Sequence, residues 1–479
     1  MSQSGVLKRS TLLIHGSVAM PLAVIGYPLA IYLPPFYASE LGLPLAMVGL
    51  MIFLARLSDV ITDPLIGSIS DRWESPLGRR KIWLLLGMPL MMIGIVNIFM
   101  PDPPVDVWHL LIWTAVMYLG WTMITLPYGA WGAELSPIYH QRSRVTAARE
   151  GYILVGLLLA AMVPAVVQHL GRRYEQGYTE GWLMESVIWL IGTDGELGTG
   201  NAPILAALAW LMLILLPLTI LLVTTTIAEP RNISRDQIPW RKGLRILKNN
   251  GPLKRMLLVL LIVITGEAFR SSLSYFFMDH IVQISDYIGL MYLMYFGLGI
   301  LAVPFWLALG RRIGKHRAFC MAMIVASIGS LGMLFLGPGD FVAFTILFAV
   351  KGTCFGAFQF LPLAMLADIV DVDTARSGEQ RTGLIFALAG MTQKFSMAVG
   401  VGLSLGLLHL AQFEAGAANE EPQLLALKMY YVIAPVLFYM AAYMLAWRYP
   451  LTERRQARLR ALINRRNAAR GRPFTGAEI

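Results

Sequence analysis

Charge is what this 479-residue sequence has least of: Asp, Glu, Lys and Arg make up 14% of it, against 57% hydrophobic residues. A water-solvated globular chain carries about a quarter charged residues, so that class is excluded, and the mean hydropathy of +0.62 agrees. Cysteine is nearly missing. Cys320 and Cys354 both fall in apolar stretches, which argues against a disulfide framework. The seven histidines are scattered, without the His-x-x-x-His or Cys-x-x-Cys spacing of a transition-metal site. "GLSLG" at 402–406 fits a nucleophile elbow, but it lies inside an apolar run rather than at a strand–turn–helix junction. The chain is therefore not expected to be an enzyme, and no cofactor is expected.

What the sequence has in abundance is apolar runs of about 20 residues, the length that crosses a bilayer. We place spans near 11–36, 43–70, 83–100, 107–135, 145–170, 202–227, 254–282, 287–309, 318–336, 341–367, 382–412 and 425–449. The first exceeds signal-peptide length and lacks a small-x-small cleavage site, so it reads as a permanent span. The net charge of +10 is a topology signal rather than a nucleic-acid footprint. Only Arg172, Arg173 and Lys428 fall in outer loops, whereas most of the 39 Lys and Arg lie in the opposite loops and the tail. The positive-inside rule then puts both termini in the cytoplasm of a multi-pass plasma (inner) membrane protein.

The basic loop after span 6 separates six spans from six: an N-terminal half at 1–227, a central loop at 228–253, a C-terminal half at 254–449 and a basic tail at 450–479. A faint repeat supports the division, because "GRRK" (78–81) follows span 2 and "GRRIGK" (310–315) follows span 8. Parallel halves with a midplane site between them are a transporter plan. The tail is expected to form a basic amphipathic helix on anionic lipid, although topology explains its charge equally well. The outer segment 172–201 is long, acidic and aromatic, and its role is not legible.

Span 2 contains "ARLSDVITDPLIGSISDRWESPLGRRK" (55–81). Each charge at mid-bilayer costs about 2.5–3.5 kcal/mol on insertion scales, yet Arg56, Asp59 and Asp63 fall within two turns. Asp59 and Asp63, at i and i+4, share a helix face with Arg56 one turn earlier. Their mutual repulsion raises proton affinity. If Arg56 neutralises one carboxylate, the other can bind a proton or a hard cation. Thr62 and Thr122 offer neutral oxygens, and Pro64 is expected to break the helix and free carbonyls. The bland alternative is a salt-bridge cluster that only locks helices together.

Asp-Val-Ile-Thr-Asp-Pro, then Gly67, Asp71-Arg72 and Gly78-Arg79-Arg80, resembles the glycoside–pentoside–hexuronide:cation symporter family of the major facilitator superfamily. "PYGAWGAELSPIYHQRSRVTAAREG" (127–151) and "LADIVDVDTARSGEQRTGLIFALAGMTQKFSMAVG" (366–400) are similar to that family's span 4–5 and span 10–11 segments. The resemblance implies an all-α polytopic membrane protein with twelve transmembrane helices in two six-helix halves, the major facilitator fold. It implies a cation site at Asp59, Asp63, Thr62 and Thr122, and a substrate cavity near Arg149 and Lys394. It also implies coupling to Na+ or H+. Two departures stand out, since the family's sugar-recognising acids of spans 1 and 4 fall at Ala23 and Thr125 here.

Other intramembrane charges fill part of that gap. Glu267 and Arg270 in span 7 could contact solute or simply neutralise each other. Lys351 lacks a local partner, which favours a cavity position. With Glu150 beside Arg149, and with Trp121 and Thr125 on the wall, these cations suggest a sugar-like or small anionic or zwitterionic solute. The cytoplasmic latch is expected from Arg56, Asp71, Arg72, Gly78, Arg79, Arg80, Arg311 and Arg312. The expected partners are a small solute, a coupling cation and membrane lipid, without nucleic acid, and the chain is expected to act as a monomer. One rival is a cation-coupled carrier of an amphiphile such as a lysophospholipid, which would show an apolar side opening. A sugar carrier would show stacking aromatics and several acceptors. From another class, the chain could be a membrane receptor or assembly factor that transports nothing.

Overall fold

The apolar runs become helices because backbone N–H and C=O groups have no water to bind inside a bilayer. A computed structural model describes residues 7–73, 75–136, 138–177, 182–192, 200–229, 250–377, 382–447 and 449. Eleven helices among them are long and apolar enough to cross a membrane, and a bent pair makes a twelfth. In chain order they are α1 (Arg9–Ile31), α2 (Leu45–Arg72), α3 (Lys81–Phe99), α4 (Val107–Glu134), α5 (Gln141–Glu175) and α6 (Asn201–Thr226). Then follow α7 (Gly251–Val282), α8 (Ser285–Leu301 with Val303–Ile313), α9 (Lys315–Phe335), α10 (Phe341–Thr374), α11 (Gly383–Leu410) and α12 (Glu421–Trp447). The expected tail helix and most of the central loop lie outside the described residues. Of the outer segment, the helix Trp182–Ile191 is described, and Leu190 O accepts from Trp210 Nε1 at 2.9 Å.

Two local expectations change. Pro64 lies inside a helix that continues to Arg72, so it does not break α2; the irregularity sits earlier, at Ser58, whose hydroxyl donates to Ala55 O at 2.6 Å. Pro64 only withholds the N–H that would reach the carbonyl one turn back. "GRRIGK" is not a loop like "GRRK". Gly310, Arg311 and Arg312 belong to the last turn of α8, and the chain reverses at Gly314, with φ of 97°. The 41° bend of α8 precedes Pro304, which cannot donate to the preceding turn.

Helices α1–α6 and α7–α12 meet at the end away from the basic loops. There Gln168 of α5 donates to Ser285 O at 2.9 Å and accepts from Gly289 N at 2.9 Å. A Cβ on Gly289 would stand 2.3 Å from Ala165 N, so only glycine permits this approach. Ser39 donates to Ala415 O at 2.9 Å, and Asn201 Nδ2 to the Tyr275 hydroxyl at 3.1 Å. Asn201 itself is fixed by Glu40, whose carboxylate accepts from its N at 2.6 Å and Nδ2 at 2.8 Å.

Candidate ion and solute site

Midway along α2, Asp59 and Asp63 point from one helix face toward α4 and α11. Lys394 of α11 puts Nζ 2.8 Å from both oxygens of Asp63 and 3.3 Å from Asp59 Oδ2. Arg56 lies 3.4 Å from the same Asp59 oxygen and stacks over the Tyr118 ring at 4.4 Å, with Trp121 at 5.5 Å. Thr122 Oγ1 of α4 is 2.9 Å from Asp63 Oδ1 and 3.5 Å from Asp59 Oδ1. The hydroxyl of Thr62 is buried without a hydrogen-bond partner among the described residues. Two carboxylates thus face two cations, and the cluster is neutral as it stands. A bound Na+ or proton would leave surplus positive charge unless Lys394 or Arg56 withdrew, because uncompensated charge in low dielectric is costly.

Beside this cluster opens a cavity of about 490 Å³ between α2, α7 and α11. Its wall is apolar: Leu57 and Val60 from α2, Leu257, Leu258 and Leu261 from α7, and Met391, Phe395 and Ala398 from α11. Its polar lining is Arg56, Asp59 and Asp63 of α2, Lys254 near the start of α7, and Thr392 and Lys394 of α11. Phe395 is its one aromatic residue.

The sequence profile described as MFS/sugar transport protein matches residues 14–453. The chain belongs to the MFS/sugar transport protein family. It is a major facilitator superfamily transporter of the glycoside–pentoside–hexuronide type, and not an enzyme. An isoprimeverose transporter of Lactiplantibacillus pentosus is 23% identical, covering 85% of this chain and 81% of that one. The sodium-dependent lysophosphatidylcholine symporter 1 of Xenopus tropicalis is 24% identical, covering 90% and 84%. A bacterial homologue of the human lysosomal transporter Spinster, solved inward-facing and unoccupied, superposes with a TM-score of 0.65. It is 13% identical, with 95% of this chain and all of that one covered.

Within this MFS transporter, several charges fall where the sequence did not put them. Lys394, expected near a substrate cavity, does line the cavity described above, but its ammonium is held in the carboxylate cluster. Arg56 sits in that cluster too, beside Asp59. Glu267, Arg270 and Lys351 do not line the cavity described above. They pack inside α7–α12, where Arg270 is 3.0 Å from Glu267, the Tyr439 hydroxyl donates to Glu267, and the Tyr295 hydroxyl lies 3.4 Å from Arg270. Lys351, 2% exposed, donates to Ser330 Oγ of α9 at 2.6 Å and so has a partner after all. Arg149 pairs with Glu150 at 2.7 Å, both partly exposed. Thr125 donates to Trp121 O at 2.9 Å, a bond within its own helix.

Of the residues expected to form a latch, Arg79 and Arg80 converge on Glu134 Oε1 at 2.8 and 2.7 Å, and Arg80 also holds Asp71 at 2.7 Å. Burial opposes the Arg80 charge, but Glu134 and Asp71 outweigh it and push its pKa above the ordinary guanidinium value. Glu229 was not foreseen. Its carboxylate accepts from the N–H groups of Arg79, Arg80 and Lys81 at 2.7, 2.9 and 2.6 Å, capping α3. Gly78, at φ of 116°, leaves room, for a Cβ would be 2.7 Å from Glu229 Oε1. Arg72, Arg311 and Arg312 are exposed and form no ion pair with described residues. In the second half it is Lys315 that pairs, at 2.8 Å with Asp368. Glu134, Glu229 and Asp368 carry no local signal because their partners are 53 to 150 residues away.

Proposed function

We propose that this MFS transporter couples solute uptake to a Na+ or H+ gradient by alternating access, with Asp59 and Asp63 as the ion site and both termini cytoplasmic. The observation that carries the reading is the seat of Lys394 on Asp63. Here the ammonium occupies the place of the coupling ion. Entry of Na+, or of a proton, onto the carboxylates displaces it and leaves a cation free on the wall of the cavity. A solute bearing an anionic group meets that cation, so ion and solute favour the same state, which is what symport requires. Thr122 and Thr62 supply neutral oxygens, as a hard cation prefers.

The apolar wall favours an amphiphile over a sugar. Eight apolar side chains, one aromatic ring among them, offer a saccharide few acceptors, and both carboxylates are already engaged. An acyl chain fits along Leu257, Leu258, Leu261 and Phe395 with its anionic or zwitterionic head toward Lys394. The name of the lysophosphatidylcholine relative agrees with this choice, while the isoprimeverose relative sets the rival. Uptake of a labelled lysophospholipid and of labelled glycosides into proteoliposomes, under imposed Na+ or pH gradients, separates them. Lysophospholipid accumulation that needs the gradient supports the reading, and glycoside accumulation alone overturns the choice of solute. Uptake of neither under any gradient overturns the transport proposal.

A further inference from the structure

A second cavity, of about 350 Å³, lies at the basic-loop end of α8, α9 and α10 and shares no lining residue with the cavity beside Asp59 and Asp63. We infer that it binds a phosphate-bearing anion, the headgroup of an anionic phospholipid. Tyr449, just past α12, points into it. The residue is 6% exposed, yet its hydroxyl has no hydrogen-bond partner among the described residues. A buried unsatisfied donor costs free energy that a ligand oxygen would restore. Arg311, exposed at the rim in the last turn of α8, forms no ion pair with described residues and presents a fork suited to phosphate oxygens. Lys315, also on the wall, is held by Asp368, which opposes an anion; one lysine and one arginine against one carboxylate still leave a positive pocket. Helix α9 begins here, and no side chain caps its N-terminus at Gly314. Its free amides and dipole add to the positive potential.

The position argues for a lipid rather than a soluble ester. Leu307 and Leu361 form the apolar part of the wall, and Leu307 and Phe305 are 37% and 59% exposed on α8. The pocket therefore joins a polar end to an apolar flank at the level where the basic loops begin, as a headgroup with its glycerol backbone requires.

Native mass spectrometry of the purified full chain, titrated with phosphatidylglycerol, phosphatidylcholine or glycerol 3-phosphate, tests this. Phosphatidylglycerol should be retained in preference to phosphatidylcholine. Arg311→Gln and Tyr449→Phe should each weaken its binding by about tenfold, the scale of one charge-assisted or buried hydrogen bond. Arg317→Gln removes an exposed charge outside the pocket and should change nothing. Competition by glycerol 3-phosphate would identify the phosphate ester as sufficient; its failure would identify the lipid as the source. Equal losses from Arg311→Gln and Arg317→Gln would mean diffuse surface electrostatics and overturn the site. So would unchanged binding in Tyr449→Phe with an unaltered melting temperature.

Discussion

Lys394 and Asp63 stand 331 residues apart in the chain, yet the ammonium lies 2.8 Å from both carboxylate oxygens. This contact ties α2 to α11 directly at the charge cluster. If Asp59 and Asp63 hold the coupling ion, as proposed, entry of the ion must break this contact.

Replacing either carboxylate tests the ion site. Asp59→Asn and Asp63→Asn should abolish gradient-driven accumulation while part of the solute binding survives. Counterflow and binding assays on the same preparations distinguish the two. Normal accumulation by both variants would remove the ion site from α2.

Removing the ammonium should act in opposite directions on ion and solute. Lys394→Ala leaves two carboxylates facing Arg56 alone, so cation affinity should rise, by about tenfold or more for a charge this close. Binding of an anionic solute should fall further than that of a neutral analogue. Isotopic Na+ binding and pH titration against wild type provide the measurement. Unchanged cation affinity would show that Lys394 does not compete for the seat.

The interior pair predicts a non-additive result. Glu267→Gln or Arg270→Gln leaves a buried charge without its partner and should cost about 3–5 kcal/mol. The double variant should recover most of that loss and retain transport, because no charge remains unpaired. Thermal melts and uptake on all three check it. A double variant that melts like wild type but fails to bind solute would return these residues to the solute site.

Glu229→Ala should leave the amides of Arg79, Arg80 and Lys81 without their acceptor, at a cost of about 1–2 kcal/mol by analogy with lost helix caps. Hydrogen exchange should accelerate at those three amides and little elsewhere. Gly78→Ala should expose the same amides, since both its positive φ and the carboxylate beside it resist a Cβ.

The sequence by itself determined the helices, their number and the presence of costly charges in α2. Hydrophobic length and the i, i+4 spacing of Asp59 and Asp63 are local properties, readable without knowing what lies opposite. The motif Asp-Val-Ile-Thr-Asp-Pro at 59–64 and the segments 127–151 and 366–400, together with the turn at Asp71–Arg80, likewise carried the family. Partners were another matter. The partner of Lys394 was hidden because α11 holds no nearby acid, and Lys351 looked free because Ser330 is on another helix. Whether Glu267 and Arg270 contact solute or neutralise each other stayed open because the sequence cannot say which way a helix is turned. Only packing decides that rotation, and with it whether a charge faces a cavity, a neighbour or a carboxylate from the other half of the chain.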